Sequence, residues 1–413
     1  MRVFESVKSF VFGGDAETKS VSLLDPEAFG IFGAAPSNSG VAVNAATSLH
    51  VPAVYSAIAL ITGAIGSLPA KVFEAADSGK RTAKDHPAYR LVHDEANDWT
   101  SAGQLRATLT RDALLHGNGF AFANRVNSRV VEFIRLNPRS VTIRYDEASG
   151  EPSYVLRDKR NRERVIAFAD MLHITPPLDL SPITAGKDAI GVAAILERHA
   201  GQFFASGARP SGIISNDKPS GSEAGAKTVA GILKSWRAWL SNASGDPLIL
   251  DAGWKYDAPT MTSTDAQFIE NRRFAIEDIA RLFRVPPPML FDLTRATWSN
   301  SEEMGQQFLT LTLRPWLDAW EWAYARCLLS PDERASGHYV EFVIDDLLSA
   351  NAATRATTYA QYRAMGAMTA NEVRSGLNLP AMPGADTLDN PNITPGSSAT
   401  IADLKPGQPE ESA

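Results

Sequence analysis

The stretch of this chain that comes nearest to a chemical site is Gly221-Ser222-Glu223-Ala224-Gly225-Ala226-Lys227-Thr228. It follows the phosphate-binding spacing G-x-x-x-x-G-K-T, in which backbone amides cradle phosphates and the Lys reaches them, except that Ala226 replaces the second Gly. A strand-like segment precedes it, a helix-like one follows, and Leu248-Ile249-Leu250-Asp251 resembles the acidic strand that helps hold Mg²⁺. Three features oppose a nucleotide. The Cβ of Ala226 occupies space the backbone needs to wrap phosphates. Glu223 puts a negative charge in the anion nest. No repeating β-α units surround the motif to build the parallel sheet such sites sit on. Ser222 as a helix cap and Glu223 in the first turn explain the residues without a ligand.

The remaining candidates are thinner. None of the seven His residues takes part in H-E-x-x-H or another metal spacing, and there is no G-x-S-x-G elbow. His173 lies on a strand pattern and reads as a satisfied core residue. Cys327 is the single Cys, which excludes an internal disulfide framework and a Cys-based zinc site. Its tryptophan-rich helical surroundings predict a buried thiol. The acidic pairs Asp345-Asp346 and Glu302-Glu303 sit at loop or helix starts, where carboxylates favour the dipole. The expectation is a non-enzymatic chain with no cofactor and no metal.

Composition points the same way. The 413 residues carry a formal net charge of −7. A protein that grips DNA tightly usually presents a basic face. This balance argues against gripping but not against DNA passing close by. The opening MRVFESVKSF has no long apolar core of a secretory signal, so a cytoplasmic compartment is expected. Val51 to Ala70 is uncharged over twenty residues, the length of a membrane span. Its Pro52, Gly63, Gly66, Ser67 and Pro69 instead suit a buried helix ending near Gly66, then a strand through Val72-Phe73.

The other elements follow from spacing. Residues 1 to 45 read as a mobile arm, and those from about Thr387 as a disordered tail. Helices are expected at His86 to Glu95 and Ala102 to His116, the second closed by a left-handed cap at Gly117. Strands are expected at Phe120 to Val126, Val130 to Leu136, Ser140 to Tyr145, Ser153 to Arg157 and Val165 to Ile174. Asp188 to Ser206 returns to helical spacing. A small α/β insert, Arg209 to Met261, follows, with a strand at Gly212 to Ser215, a helix at Ser222 to Leu240, and strands near 247–250 and 254–256.

The most informative run is Thr264 to Leu329. On the helix Thr264 to Val285, the residues Phe268, Ile269, Ala275, Ile276, Ile279, Leu282 and Phe283 cover an arc of about 160°, wider than one neighbour needs. Two readings stand: a surface helix on a core, or a helix wedged between identical neighbours with Phe274 at a subunit contact. Pro286-Pro287-Pro288 must end the helix. A polar loop runs to Trp298, and Ser299 with Glu302 fits a capping box that starts the next helix. Pro315 should kink that helix. A last helical unit begins near Asn351, ends at Gly366, and restarts from a capping box at Thr369 and Glu372.

Six strings, in this order, resemble the portal proteins of tailed double-stranded DNA bacteriophages, of the long-tailed type. They are Val51-Pro52-Ala53-Val54-Tyr55-Ser56-Ala57-Ile58; Leu114-Leu115-His116-Gly117-Asn118-Gly119-Phe120-Ala121; Gly207-Ala208-Arg209-Pro210-Ser211-Gly212; Arg281-Leu282-Phe283-Arg284-Val285-Pro286-Pro287; Trp298-Ser299-Asn300-Ser301-Glu302; and Gly366-Ala367-Met368-Thr369-Ala370-Asn371-Glu372-Val373-Arg374. Each alone is weak; their order and spacing over about residues 50 to 386 make the match specific. A phage-derived gene-transfer particle is a possible source.

The resemblance implies an α+β ring subunit in named parts: a flexible arm at 1–45, a wing at 46–188 and 301–349 that includes the kinked helix, stem helices at 189–207 and 263–285, and a clip at 208–262. A tunnel loop at 286–300, a short helical crown at 350–386 and a tail at 387–413 complete it. It implies a ring of about twelve copies at one capsid vertex, through which double-stranded DNA enters and leaves. The implied partners are itself, the major capsid protein, the packaging motor (the terminase large subunit) and the head-to-tail connector or adaptor protein, with no membrane. The implied location is the virion's portal vertex, reached from the host cytoplasm. Leu293, Thr294, Arg295, Ala296, Thr297 and Trp298 are the expected channel residues, with Arg295 meeting phosphate; packing between adjacent loops is the competing role for Arg295 and Trp298. Phe268, Ile269, Phe274, Ile276 and Phe283 are the expected subunit contacts of the stem.

Overall fold

The computed structural model describes residues 37–76, 79–158, 160, 162–205, 213–216, 229–235, 254–257, 263–291, 301–344, 352–377 and 379–388. They form an α+β protein in two compact units, Met1–Ile344 and Asp345–Ala413.

Among the described residues, the first helix of the first unit is the one-turn α1 (Ala45–Ser48), closed by a reciprocal capping box between Asn44 and Thr47. Helix α2 (Pro52–Ser67) starts on a proline, whose missing amide would have had no partner there. Its uncharged run is core: Val54, Ala57, Ile58, Ile61 and Ile65 are buried. Among the described residues, no helix is long and apolar enough to cross a membrane. Strand β1 (Ala70–Ala76) follows, then β2 (Gly79–Thr82), helix α3 (Ala88–His93), a short hairpin of β3 (Glu95–Asn97) and β4 (Thr100–Ser101), and helix α4 (Ala102–His116). Helices α2 and α4 cross where two glycines meet; a Cβ on Gly103 would lie 2.4 Å from the Gly66 carbonyl oxygen. Gly117 closes α4 at φ 82°, the expected left-handed cap.

Two three-stranded antiparallel sheets come next, one ordered β10-β5-β6 and the other β7-β8-β9. Their strands are β5 (Gly119–Val126), β6 (Arg129–Leu136), β7 (Val141–Tyr145), β8 (Pro152–Arg157), β9 (Glu163–Ile166) and β10 (Met171–Ile174). The single strand expected over Val165 to Ile174 is in fact two. A 3₁₀ turn at Phe168–Asp170 splits it, sending β9 to pair with β8 and β10 with β5. Phe120, Phe122, Ile134, Leu136, Tyr154, Leu156, Ile166 and Met171 from both sheets form one buried cluster.

Helix α5 (Pro182–Ala185) leads into α6 (Lys187–Ala205). Strand β11 (Ile213–Asn216) pairs with β12 (Trp254–Asp257), and residues 229–235 are helical. The strand expected near 247–250 and the phosphate-like motif at 221–228 lie outside the described residues. Helix α7 (Ser263–Phe283) stops before the prolines. Arg284 takes a left-handed φ of 58°, and the Val285 amide donates back to the Ala280 carbonyl at 2.9 Å, a C-terminal cap usually given to Gly.

Helix α8 (Ser301–Gln307) widens into a π-helical stretch at Phe308–Leu313 and resumes as α9 (Arg314–Leu328). The expected disturbance at Pro315 therefore takes the form of wide turns just before it. A π segment lets the ladder shift register where proline offers no amide. Helix α10 (Pro331–Ala335) and strand β13 (His338–Phe342) close the unit. Strand β13 pairs with β1 from Ala70↔Phe342 to Glu74↔His338, joining the two ends of the body across everything inserted between them.

Side chains lock this body tightly. Arg106 is 2% exposed and donates to the carbonyls of Ile65, Leu68 and Val92, at the C-terminal ends of α2 and α3. Those helix ends carry negative dipole charge, which offsets the buried cation. Buried Asp112 accepts two bonds from Arg135, at 2.6 and 2.9 Å. Trp320 is fully buried and donates to Thr110 at 3.0 Å. Arg326 stacks over Phe168 and donates to the carbonyls of Phe168 and Met171, holding the 3₁₀ turn. His173 contacts Tyr154 Oη at 3.1 Å and Asn118 Oδ1 at 2.8 Å, and burial lowers its pKa to about 4. It is the satisfied core residue the strand pattern predicts. Cys327 is buried, and burial pushes its thiol up to about 11.

The second unit holds helices α11 (Ala352–Ala364) and α12 (Ala370–Gly376). Gly366 is left-handed at φ 70°, and the Thr369–Glu372 capping box forms with both reciprocal bonds. The Asn371 amide ties α12 to the chain beyond it through Met382 and Asp386.

Candidate assembly surface

Helices α6 and α7 pack against each other, with Gly186 just before α6 lying under the Leu282 side chain near the end of α7. A Cβ on Gly186 would lie 2.1 Å from Leu282 Cδ2, so a larger residue there would make that side chain turn aside. Farther along, Arg272 donates to Glu197 at 2.8 Å and Phe268 meets His199 edge-on at 5.1 Å between ring centres. Within α7, Arg281 pairs with Glu277 at 3.1 Å, one turn earlier on the helix, and also with Asp278. Its guanidinium lies 5.3 Å from the Phe274 ring centre.

The apolar residues of this pair are not all used. Ala275, Ile279, Ala280 and Phe283 are buried, whereas Ile269 is 56% and Phe274 55% exposed. On α6, Val192 and Ile195 are also exposed. The pair therefore shows large apolar side chains on faces beyond its mutual contact.

One of those faces is hollow. A groove of about 750 Å³ runs between α6 and α7 and ends against the first turn of α2 and the turn after the prolines. Its lining includes Val51, Ala193, Phe268, Ile269, Ile276 and Leu290. That turn is a 3₁₀ helix over Pro287–Leu290, with Leu290 buried and Phe291 left-handed and 83% exposed. The start of the segment expected as loop is therefore folded onto the body.

The five residues expected as subunit contacts are dealt unequally. Phe268, Ile269 and Ile276 line the one groove; Phe274 is exposed beneath Arg281. Phe283 is a correction: at 4% exposed it is buried inside its own chain and is closed to any neighbour. The wide arc fused an inward face with an outward one. Leu293 to Trp298 and the Ser299 cap lie outside the described residues. Sequence reasoning missed Arg272, Glu197, Leu290 and Phe291. The last two had a signal: Met289-Leu290-Phe291 is an apolar run inside a segment otherwise read as polar. Among the described residues, no three His, Cys, Asp or Glu side chains gather as a metal site.

With this geometry in hand, comparison with known proteins is direct. The sequence model described as phage portal protein matches residues 52–378. The portal protein of Enterobacteria phage HK97 is 28% identical over 362 residues, covering 83% of this chain and 82% of that protein. The probable portal protein of Streptomyces phage phiC31 is 25% identical over 394 residues, covering 89% and 82%. In fold, the chain is similar to one from the neck of an empty gene transfer agent particle (TM-score 0.56, 22% identity, 82% of this chain and 94% of that one). It is also similar to an HK97-family phage portal protein from Corynebacterium diphtheriae (TM-score 0.55, 16% identity, 74% and 96%).

Proposed function

The chain belongs to the phage portal protein family, and from that premise we propose that it assembles into a ring of about twelve copies at one capsid vertex, as the neck of a gene transfer agent particle computed with C12 symmetry suggests. The ring is the non-enzymatic channel for packaging and ejecting double-stranded DNA. It docks on the major capsid protein, receives the terminase large subunit during packaging, and later carries the head-to-tail connector. It forms in the host cytoplasm and ends in the virion.

Residues 46–188 and 301–349 are the wing in this reading, α6 and α7 the stem, and 208–262 the clip. Residues 286–300 hold the tunnel loop, and 350–386 are the crown. Arg295 and Trp298 meet the passing DNA.

The observation that carries the reading is the α6–α7 pair, whose Ile269 and Phe274 stay more than half exposed in a single copy. Packing each pair between two neighbours would cover them. The net charge of −7 suits a conduit that must release its cargo. Native mass spectrometry of the purified chain tests the ring; a monomer or dimer under all conditions overturns it. Deleting Leu293 to Thr297 should leave the ring intact while impairing DNA packaging or retention, and loss of the ring itself would overturn the loop's role.

A further inference from the structure

A ring closes through two different patches, one on each side of every copy, so a hollow on one side needs a projection on the other. The groove between α6 and α7 is the hollow. The projection that suits it is the turn just before α5. Leu178 there is 95% exposed, and Leu180 beside it is 51% exposed. The turn is strained as well: Leu178 and Asp179 hold left-handed φ values of 76° and 52°, in succession and without a glycine. Leu is a poor choice for such a position, where Gly, Asn or Asp are favoured. A leucine that local sterics disfavour and that is this exposed adds little packing to its own chain.

Charge matches shape. Asp179 sits at the tip between the two leucines, and among the described residues its carboxylate makes no hydrogen bond or salt bridge. On the groove side, Arg272 is engaged by Glu197, whereas the adjacent Arg273, which also lines the groove, has no acidic partner among the described residues. At about 750 Å³ the groove has room for a whole turn and not only one side chain. We propose that the Leu178–Leu180 turn of one copy seats in the α6–α7 groove of the next copy, Leu178 against Ile269 and Ile276 and Asp179 against Arg273. The proposal rests on the ring reading and names the contact that closes it.

Four variants test it without threatening the fold. Leu178→Gly relieves the strained backbone, so the melting temperature of the single copy should hold or rise. The protein concentration needed for half-assembly should rise at least tenfold; an unchanged concentration dependence overturns the proposal. Asp179→Arg should weaken assembly, and adding Arg273→Asp should restore it; a double variant no better than the single overturns the charge pairing. In Leu178→Cys with Ile269→Cys, mild oxidation should produce a ladder of covalent oligomers, because the two thiols come from adjacent copies and Cys327 is buried. Wild-type rings with no ladder from this pair would overturn the seating and leave the ring reading standing. Wild-type protein that never forms rings would overturn the reading itself.

Discussion

The α/β body and the α6–α7 helix pair solve the problem of apolar surface in opposite ways. In the body, Trp320, Tyr154, Phe120 and Phe133 are fully buried, and even the cations Arg106 and Arg326 are satisfied by carbonyls of neighbouring elements. In the helix pair, Ile269 and Phe274 face water and a groove lies open beside them. Most of the body's large side chains are thus buried within one chain, with Leu178 and Trp322 among those left exposed, and in the ring reading the pair is half of a contact. Stability of the single copy should reside in the first, and assembly in the second.

The sharpest way to break this contrast is in the body. Trp320→Ala removes a fully buried ring and leaves Thr110 without its donor. It should cost about 3–5 kcal/mol, read by urea unfolding of the single copy. Next is pH. The fold holds His173 neutral, its pKa lowered from 6.5 to about 4 by burial, with Arg326 adding to the effect. As pH falls, the unfolded chain takes the proton first. The contribution is therefore complete above about pH 6.5 and is lost progressively down to about 4, on the order of 3 kcal/mol in all. His173→Gln should flatten that part of the pH profile; an unchanged profile would place the acid sensitivity elsewhere.

A smaller effect is expected at the helix crossing. Gly103→Ala forces a Cβ toward the Gly66 carbonyl, and α2 and α4 must separate, at about 1–3 kcal/mol. The smallest lies in the helix pair. Ile269→Ser should change single-copy stability by less than about 0.5 kcal/mol, because the side chain is already in water. The same variant should still depress ring formation. A large loss of monomer stability there would erase the distinction between the two regions.

How much of this was legible follows the range of the interactions. Helix α4, its Gly117 cap and the Thr369–Glu372 box depend on neighbours within a few residues, and the sequence pattern placed them closely. Strand β13 was missed because its partner, β1, lies far back in the chain and no local pattern names it. Arg106 looks like a surface residue on its own helix; what buries it are the ends of two other helices. The break between β9 and β10 depends on Arg326, which holds the turn from a helix remote in sequence. On α7, periodicity picked out Phe268, Ile269 and Ile276, which line the groove, but could not separate the buried Phe283, because a periodic arc says which residues are apolar and not which neighbour each one meets.

The π-helical stretch at Phe308–Leu313 bears on how α9 can be altered at all. Each residue of an α-helix turns the chain by about 100°. The wide turns absorb rotation, so that the half before Pro315 and the half after it each present the correct side to their surroundings. Trimming one residue there would close the wide turns into regular helix and leave α9 facing as it does, with Trp316, Trp320 and Tyr324 still buried. Trimming one residue between Trp316 and Trp320 would instead turn Trp320 and Tyr324 by about 100°, off the body. The irregular turns are thus the slack in the longest described helical run of this unit, where a deletion would be felt as shortening and not as rotation.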